Sequence, residues 1–391
     1  MGGFVAPGFE AVQAAFSDNL VSRDELGAAF AATVDGQLVV DLWGGLADAD
    51  ALTPWEAETP VVIFSGTKGL VALCLLVLAD RGQLALDAPV STYWPEFAAA
   101  GKKRITVAEI ASHRARLPAF REPLEPGDFL DDRRMAELLA AQAPDPDPRA
   151  SGTYHGFTYG WLCGELVRRV DGRSVGRFFA DEVAAPLGLR AWIGLPDEMQ
   201  PEVATLCFAR DWGVGKPQWD LDVVADDPLM AALSHNPPVL RPGEPIVWNR
   251  PEFRSAEIPG AGGVATARSM ARLYGCLARG GELDGVRLLS EETLARGCAV
   301  LVKRRDTVWG RPCAYGVGFQ LQTELHELGK PEDAFGHGGA GGSIHGAWPS
   351  HRVGFSYAMN VMRDDEQVDP RAQALLTALH DAVESHAGGT S

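Results

Sequence analysis

A serine and a lysine stand three residues apart between Phe64 and Leu70, at the predicted start of a helix. One helical turn places Ser65 and Lys68 on the same face. A serine hydroxyl is a weak nucleophile at neutral pH, and a lysine that has lost part of its hydration can accept the hydroxyl proton. The spacing therefore predicts acyl transfer through Ser65, although it also fits a helix cap followed by a solvated lysine.

The sequence around this pair favours the chemical interpretation. A short apolar run, 61–64, precedes Ser65, and residues 70–79 are apolar nearly all round, which is typical of a helix buried in a core. An unpaired charge one turn into such a helix is costly. Activation of Ser65 gives a reason for a lysine at position 68.

Two later segments offer the other parts of an acyl-transfer site, which are an acid for the leaving group and donors for an oxyanion. The first places Tyr154 in a turn that leads into a helix. The second, 336–343, surrounds His337 with glycines, and such backbone can approach a ligand or a strand closely. Taken alone, Tyr154 also fits a half-buried aromatic, and His337 a loop histidine.

In their order, these motifs resemble those of the serine beta-lactamase and penicillin-binding protein superfamily, especially its class C-like enzymes and the family VIII carboxylesterases. Ser65 and Lys68 match the family's Ser-x-x-Lys, and Tyr154 matches its tyrosine motif. The segment 337–339 matches its Lys-Thr-Gly motif in a His-Gly-Gly form. The resemblance covers nearly the whole chain.

The resemblance implies a role for each matching residue. Ser65 becomes acylated, Lys68 and Tyr154 share the general-base and general-acid work, and Tyr154 also activates the water that hydrolyses the acyl enzyme. The backbone amides of Ser65 and Ala340 form the oxyanion hole. Three consecutive residues line the substrate pocket, and these are His337, Gly338 and Gly339.

Two departures from the family pattern favour esters over lactams. Beta-lactamases usually carry Tyr-x-Asn, whereas Tyr154 is followed here by His155 and Gly156. The lysine of Lys-Thr-Gly is His337, which weakens recognition of a beta-lactam carboxylate. The sequence therefore predicts a serine carboxylesterase acting on small, short-chain acyl esters. Its alternatives are a beta-lactamase, a D-amino-acid peptidase or amidase, an acyltransferase, and a catalytically silent binding protein.

Some motifs suggest other sites and are interpreted as structural. Tyr159 competes with Tyr154 but is expected within the following helix. Ser174 lies in a Gly-x-Ser-x-Gly pattern, yet it follows one predicted helix and opens another, so it is interpreted as a cap. The stretch 260–263 lacks the strand that precedes a dinucleotide site. No nicotinamide or other cofactor is predicted.

The histidines show no His-Glu-x-x-His or comparable ligand spacing, so no metal site is predicted. His345 and His351 flank a turn and are expected at the surface. Glu165 is expected to be solvated on its helix. The loop from 112 to 118 contains Arg114 and Arg116, for which the sequence suggests no role.

The order of the predicted elements indicates an α/β (α+β) fold of the beta-lactamase type. A helix over 8–20 and a hairpin turning at Asp35-Gly36 open the chain. Strands return at 315–321 and 353–360, and a helix over 372–383 follows them. We expect an antiparallel sheet flanked by the N- and C-terminal helices and interrupted by an all-helical insertion.

A chain of 391 residues exceeds one ordinary core, so two domains are expected. The predicted division puts 1–85 and 255–391 in a discontinuous sheet domain and 86–254 in a mainly helical domain. The active site is expected where these two domains meet, because pockets favour such seams.

Composition restricts the partners. A net charge of −17 argues against nucleic acid and anionic membranes, which are bound by clustered Lys and Arg. No apolar run reaches the ~18 residues that cross a bilayer. The six cysteines are scattered and are expected to be reduced, and the first residues do not resemble a secretory signal. We therefore expect a cytoplasmic protein with a small ester as its partner, and the oligomeric state is not predicted.

Overall fold

The computed structural model describes residues 1–364 and 368–388. The strands are β1 (Gly2–Val5), β2 (Gly27–Val34), β3 (Gln37–Asp48), β4 (Thr53–Pro54), β5 (Val61–Phe64), β6 (Ala191–Ile193), β7 (Cys207–Phe208), β8 (Gly263–Ala265), β9 (Glu282–Leu283), β10 (Val286–Arg287), β11 (Val302–Arg305), β12 (Pro312–Tyr315), β13 (Gln320–Leu321), β14 (Phe335–Gly338), β15 (Ile344–Trp348), β16 (Val353–Met359) and β17 (Val361–Met362).

The helices alternate with these strands. They are α1 (Glu10–Ser22), α2 (Thr67–Asp80), α3 (Val107–Ala111), α4 (Asp132–Ala141), α5 (Thr158–Asp171), α6 (Val175–Phe179), α7 (Ala185–Leu187), α8 (Leu221–Val224), α9 (Pro228–His235), α10 (Pro251–Ser255), α11 (Ala267–Ala278), α12 (Glu291–Cys298) and α13 (Pro370–Gly388). Short 3-10 turns and a π-helical turn between α6 and α7 complete the described part of the chain.

A large antiparallel sheet runs in the order β1-β3-β2-β16-β15-β14-β13-β12-β11, and β4 pairs with β3. The predicted hairpin is confirmed, since β2 and β3 pair from Val34 and Gln37 onwards. Its two turn residues, Asp35 and Gly36, both have positive φ, as the favoured two-residue hairpin turn requires. The strand expected over 315–321 is interrupted, because β12 ends at Tyr315 and β13 begins only at Gln320.

The two faces of the sheet bury separate cores. Along β2, Phe30 packs with α1 and α13 on one face, whereas Ala29 and Ala31 belong to the core that also holds α2 and α11. This alternation follows from the two-residue period of a strand. Helices α1 and α13 also pack against each other. The predicted antiparallel sheet with N- and C-terminal helices on it is confirmed.

The middle of the chain is mostly helix and loop, but it also contains strands. Strand β6 joins β5 and β8 in a three-stranded sheet, and β7 pairs with β17 in parallel. Strand β5 leads directly into α2, so this small sheet holds the start of the helix that carries Lys68. The division of the chain into 1–85 with 255–391 and 86–254 stays a prediction.

None of the helices in the described ranges combines the length and the apolar character that a membrane span needs. The six cysteines are free thiols, and two of them, Cys207 and Cys298, are partly exposed. Helix α2 is buried from Thr67 to Leu78, as the apolar sequence predicted.

Candidate active site

Ser65 lies in the turn between β5 and α2, and this turn is tightly tied to its surroundings. Phe64, the preceding residue, has a φ of 45°, which is rare for a bulky side chain. The Thr67 hydroxyl donates to the Phe64 carbonyl at 2.5 Å and accepts from the Gly263 amide at 2.8 Å. These bonds join the turn to β8 and fix the backbone that carries Ser65.

Lys68 is fully buried, and its amine has three close oxygen neighbours. Nζ lies 3.0 Å from Ser65 Oγ, 2.6 Å from the Gly156 carbonyl and 2.7 Å from the Gly260 carbonyl. Burial holds the pKa of Lys68 well below its ordinary value, which favours the neutral amine. A neutral amine has two N–H donors, which the two carbonyls can accept, and one lone pair, which remains for the Ser65 hydroxyl.

Glycines allow those two carbonyls to approach the amine together. A Cβ at Gly160 would collide with the backbone nitrogen of Gly260, and a Cβ at Gly260 would lie 2.6 Å from the Phe157 carbonyl oxygen. The 258–263 segment can therefore cross the start of α5 only because neither Gly160 nor Gly260 has a side chain. The glycine-rich stretch that resembled a dinucleotide motif packs here and supplies a carbonyl to Lys68.

Tyr154 adjoins the serine and lysine pair. Its hydroxyl contacts the Ser65 side chain, and its ring centre is 4.8 Å from Lys68 Nζ. Burial raises the pKa of the Tyr154 phenol above its ordinary value, so the phenol keeps its proton. The structure thus brings together Ser65, Lys68 and Tyr154, whose catalytic roles stay predictions.

His337 lies behind Tyr154, and its Nε2 is 3.4 Å from the phenol oxygen. Its Nδ1 donates to the Gly338 carbonyl at 2.7 Å, so Nε2 carries the lone pair and can accept from the phenol. Burial lowers the pKa of His337 to about 3. His337 is therefore a neutral acceptor at physiological pH.

Tyr159, the competing tyrosine, is fully buried in α5. Its hydroxyl donates to the backbone carbonyl of Lys68 at 3.4 Å, away from the amine. Tyr154 lines the cavity next to Ser65, whereas Tyr159 does not. This geometry supports Tyr154 over Tyr159.

The sequence did not predict that His113 packs against Tyr154 and Tyr315. The ring of His113 is fully buried, with its centre 4.6 Å from that of Tyr154 and 4.5 Å from that of Tyr315. Its Nδ1 accepts from the His155 amide at 3.2 Å. His113 lies in the loop from 112 to 118, and nothing in the spacing of that loop indicated packing against Tyr154.

The backbone amides of Ser65 and Ala340 belong to residues that line one cavity. Across residues 1–364 and 368–388, neither N–H donates to a backbone or side-chain acceptor. Two unused donors at one cavity match the needs of an oxyanion hole. The other three predicted pocket residues, His337, Gly338 and Gly339, do not line this cavity, and their contact with substrate stays a prediction.

The cavity beside Ser65 has a volume of about 280 Å³. None of the described side chains that line it is charged. Its polar Asn236 is already used, since Oδ1 accepts from the Leu124 amide at 2.7 Å and Nδ2 donates to two carbonyls. Much of the lining is aromatic or aliphatic, including Phe120, Phe129, Phe157, Trp219, Leu233 and Trp309. The cavity suits an uncharged, apolar group.

Ser174 is a helix cap, as predicted. Its hydroxyl accepts from the Arg177 amide at 3.2 Å and donates to Glu257 Oε1 at 2.6 Å. Two other expectations were wrong. Glu165 is buried rather than solvated, because it pairs with the neighbouring arginines of α5. His345 is fully buried rather than at the surface, since β15 is an inner strand and its Nδ1 bonds Ser356 Oγ at 2.7 Å.

The two arginines without a predicted role hold the loop after α3. Arg114 Nε donates to Ser112 Oγ at 2.8 Å. Arg116 Nη2 donates to the Asp145 carbonyl at 2.7 Å and so joins this loop to the proline-rich segment 143–148. Both side chains therefore act locally, on loop structure.

Three possible metal ligands meet at α13, although no sequence spacing indicated them. Atoms of His351, His380 and Glu384 lie within 4.8 Å of one another. His351 Nε2 and Glu384 Oε1 already share a hydrogen bond of 2.7 Å. None of the three lines the cavity at Ser65.

Comparisons with known proteins show the family of this chain. The family model described as Beta-lactamase matches residues 12–378. Esterase/beta-lactamase LipL of Mycobacterium tuberculosis is 37% identical over 91% of this chain and 82% of its own length. A family VIII carboxylesterase crystal structure is 38% identical, with a TM-score of 0.87 and coverage of 97% of this chain and 99% of that chain. A penicillin-binding protein homologue from Caulobacter crescentus gives the same four values. The chain belongs to the Beta-lactamase family.

Proposed function

We propose that this protein is a serine carboxylesterase that hydrolyses small, uncharged esters through an acyl enzyme on Ser65. One observation carries the proposal. Ser65 Oγ lies 3.0 Å from the amine of a fully buried lysine whose two other neighbours are carbonyl oxygens. The names of similar proteins, an esterase/beta-lactamase and a family VIII carboxylesterase, support the same reaction class.

Acylation begins when Ser65 Oγ attacks the ester carbonyl and its proton moves to the lone pair of Lys68. The negative oxygen of the tetrahedral intermediate accepts hydrogen bonds from the Ser65 and Ala340 amides. The carbon–oxygen bond to the alcohol then breaks, and Tyr154 gives its proton to the departing alkoxide. Tyr154 regains a proton from the Lys68 ammonium, which restores the neutral amine.

Deacylation uses the same groups in reverse order. A water attacks the acyl carbonyl and passes a proton through the Tyr154 phenol to Lys68. That proton returns to Ser65 Oγ as the acyl–oxygen bond breaks and the carboxylic acid leaves. His337 Nε2, 3.4 Å from the phenol, orients the phenol oxygen in both steps.

The cavity supports an uncharged substrate. A beta-lactam carries a carboxylate and a D-amino-acid amide carries an ammonium group. Each needs an opposite charge or several hydrogen-bond partners, donors for the carboxylate and acceptors for the ammonium, to replace its lost hydration. Among residues 1–364 and 368–388, no charged side chain lines the cavity. The short-chain acyl preference predicted from the sequence stays part of the proposal, with the apolar walls holding the acyl group.

A substrate panel with intact-mass analysis tests this function. Wild-type protein is mixed with p-nitrophenyl acetate and butyrate, a chromogenic cephalosporin and a D-alanine p-nitroanilide. We expect turnover of the two esters, a transient acyl adduct on Ser65, and at least about 100-fold slower reaction with the other two. An added alcohol that becomes esterified would instead indicate acyl transfer, and failure to cleave any ester would overturn the proposal.

A further inference from the structure

The loop that carries Ala340 rests on a buried ion cluster on the side away from the cavity. The Gly341 carbonyl accepts from the Arg371 guanidinium at 3.1 Å and from the Arg363 amide at 3.0 Å. A Cβ on Gly342 would collide with a carboxylate oxygen of Asp369. The loop therefore lies directly against the Asp369 and Arg371 pair.

Arg371, near the start of α13, is fully buried and makes polar contacts with five residues. Its guanidinium bonds Asp369 at 2.7 Å, Glu25 at 3.0 Å and the Val361 carbonyl at 3.0 Å, besides Gly341. Its own carbonyl accepts from Asn19. A buried guanidinium loses its hydration, and only such a complete set of acceptors offsets that cost.

Glu25 completes the cluster from the segment before β2. Its carboxylate accepts from the Tyr357 hydroxyl and from Arg371. Burial raises the pKa of Glu25 to about 7, although the positive charge of Arg371 opposes that change. Asp369 bonds the same guanidinium through both carboxylate oxygens, at 3.1 Å and 2.7 Å.

Within the described part of the chain the Ala340 amide has no acceptor, so its direction depends on its neighbours. Gly339 is fixed on one side, where its amide donates to the Ser343 carbonyl at 2.8 Å. Gly341 is fixed on the other side by Arg371 and by the Arg363 amide. Glycines at 341 and 342 have φ values of 91° and 114°, so the backbone itself has wide freedom. External contacts must hold it in place.

We infer that Arg371 is a positioning residue for the oxyanion hole, because it holds Gly341 and thereby directs the Ala340 amide toward the carbonyl attacked by Ser65. This inference rests on the proposed function. Loss of one oxyanion donor typically lowers kcat by about 10²- to 10³-fold. A donor that is present but misdirected should lower kcat by a smaller factor. Substrate binding is affected much less, because the donor acts most strongly on the transition state.

The test compares Arg371→Lys with wild-type protein on p-nitrophenyl butyrate. Lysine keeps a positive charge for Asp369 and Glu25 but lacks the fork that also reaches Gly341. We expect kcat to fall about 10- to 100-fold, KM to change less than about threefold, and Ser65 phosphonylation to slow by a similar factor as kcat. Rates are expressed per active site titrated with the phosphonate, so unfolded protein does not contribute.

Arg268→Lys is the control, because Arg268 is a partly buried arginine that, like Arg371, bonds an aspartate, here Asp41 at 2.6 Å, and its side-chain bonds go to Asp41 and Glu58 and not to the loop. It should leave kcat within about twofold of wild type. If Arg371→Lys does not fold, Gly342→Ala tests the same contact from the loop, because its Cβ displaces the loop from Asp369. It should lower kcat per titrated site by a comparable factor.

The outcomes separate two failures. A wild-type protein without Ser65-dependent ester cleavage would overturn the proposed function. An active wild type, together with wild-type kcat per site in Arg371→Lys or in folded Gly342→Ala, would overturn the positioning role alone. A lowered melting temperature at unchanged kcat would mean that the cluster only stabilises the fold.

Discussion

Ser65 and Ser174 both occur in short motifs of serine hydrolases, yet their surroundings differ completely. Ser65 lines the cavity and lies 3.0 Å from the buried amine of Lys68. Ser174 caps α6, and its hydroxyl donates a hydrogen bond to the Glu257 carboxylate at 2.6 Å. One serine faces a proton acceptor beside unused amide donors, and the other is fully occupied in holding a helix.

The difference shows what makes a serine reactive in this fold. Glu257 is also a base beside a serine hydroxyl, and its partial burial raises the pKa of its carboxyl. At Ser174, however, the adjoining cavity has a volume of only about 10 Å³, and the backbone amide of Gly176 already binds the same carboxylate. A base beside a hydroxyl is therefore insufficient without space and donors for the substrate carbonyl.

Replacing each serine separately with alanine should give the largest difference in activity between the two regions. Ser65→Ala should lower kcat/KM for p-nitrophenyl butyrate by at least about 10⁴-fold and abolish phosphonate labelling, since the nucleophile is lost. Ser174→Ala should stay within about twofold of wild type. For both variants, kcat/KM is measured from initial rates and labelling from the intact mass after reaction with the phosphonate. Residual labelling of Ser65→Ala would assign the nucleophile to another serine.

Removal of the base next to Ser65 should have the second largest effect. Lys68→Met preserves much of the side-chain volume without the amine, and we expect a loss of about 10³-fold in kcat. Stopped-flow phosphonylation should slow in parallel, because the same proton transfer activates Ser65. Glu257→Gln, the equivalent change at Ser174, should leave the rate per titrated site nearly unchanged. If Lys68→Met and Glu257→Gln lost similar activity, the proposed difference between the Ser65 and Ser174 regions would be wrong.

The phenol of Tyr154 should contribute less than the amine. Tyr154→Phe keeps the ring packed against His113 and removes the hydroxyl that protonates the leaving group and relays the proton of the attacking water, so we expect about a 10²-fold lower kcat. In kcat/KM, which reports acylation, the loss should shrink for p-nitrophenyl esters relative to ethyl esters, because nitrophenolate leaves without a proton. Tyr159→Phe is the matched control and should retain activity. Equal losses for both ester types would contradict the acid role.

The acid side of the pH profile should belong to Lys68 and not to His337. Protonation of Lys68 removes its lone pair, so kcat/KM should rise with pH until the amine is neutral and then level off well below pH 10.5, because burial lowers its pKa. His337, with a pKa of about 3, is neutral throughout pH 5–9. His337→Gln should therefore lower the rate only about 3- to 10-fold and leave the midpoint unmoved. A shifted midpoint would assign that titration to His337.

The smallest expected effect concerns stability. Ser174→Ala removes a side-chain acceptor at the start of α6, which typically costs about 1 kcal/mol of the free energy of unfolding. Urea unfolding followed by tryptophan fluorescence measures this cost. Ser65→Ala should not lower stability by a similar amount, since the Ser65 hydroxyl caps no helix. A larger loss at Ser65 would mean that its hydroxyl also has a structural role.

Local sequence signals accounted for much of this molecule. The apolar helix after Ser65, the hairpin at Asp35 and the cap at Ser174 all follow from short-range rules of propensity and turn chemistry. The meeting of Ser65 with Lys68 also follows, because one helical turn sets it. The family resemblance supplied the order of the later motifs, and the cytoplasmic location stays a prediction.

Contacts between distant segments were beyond such signals. The carbonyls of Gly156 and Gly260 meet at Lys68 only through the packing of α2 and α5 with the 258–263 segment. Glu165 and His345 were misplaced because a charged or turn-flanking residue gives no local sign of burial. The cluster around Arg371 escaped for the same reason, since its partners come from three separate regions of the chain.

The close crossing of Gly160 and Gly260 has a consequence for how this protein could acquire new substrates. Random mutagenesis should rarely recover any replacement at either glycine, because even alanine would push the lysine's carbonyl partners apart. The segment 218–240 supplies walls to the cavity and lies outside that crossing. Directed evolution of substrate preference should therefore accumulate its changes there, while the chemistry is inherited intact.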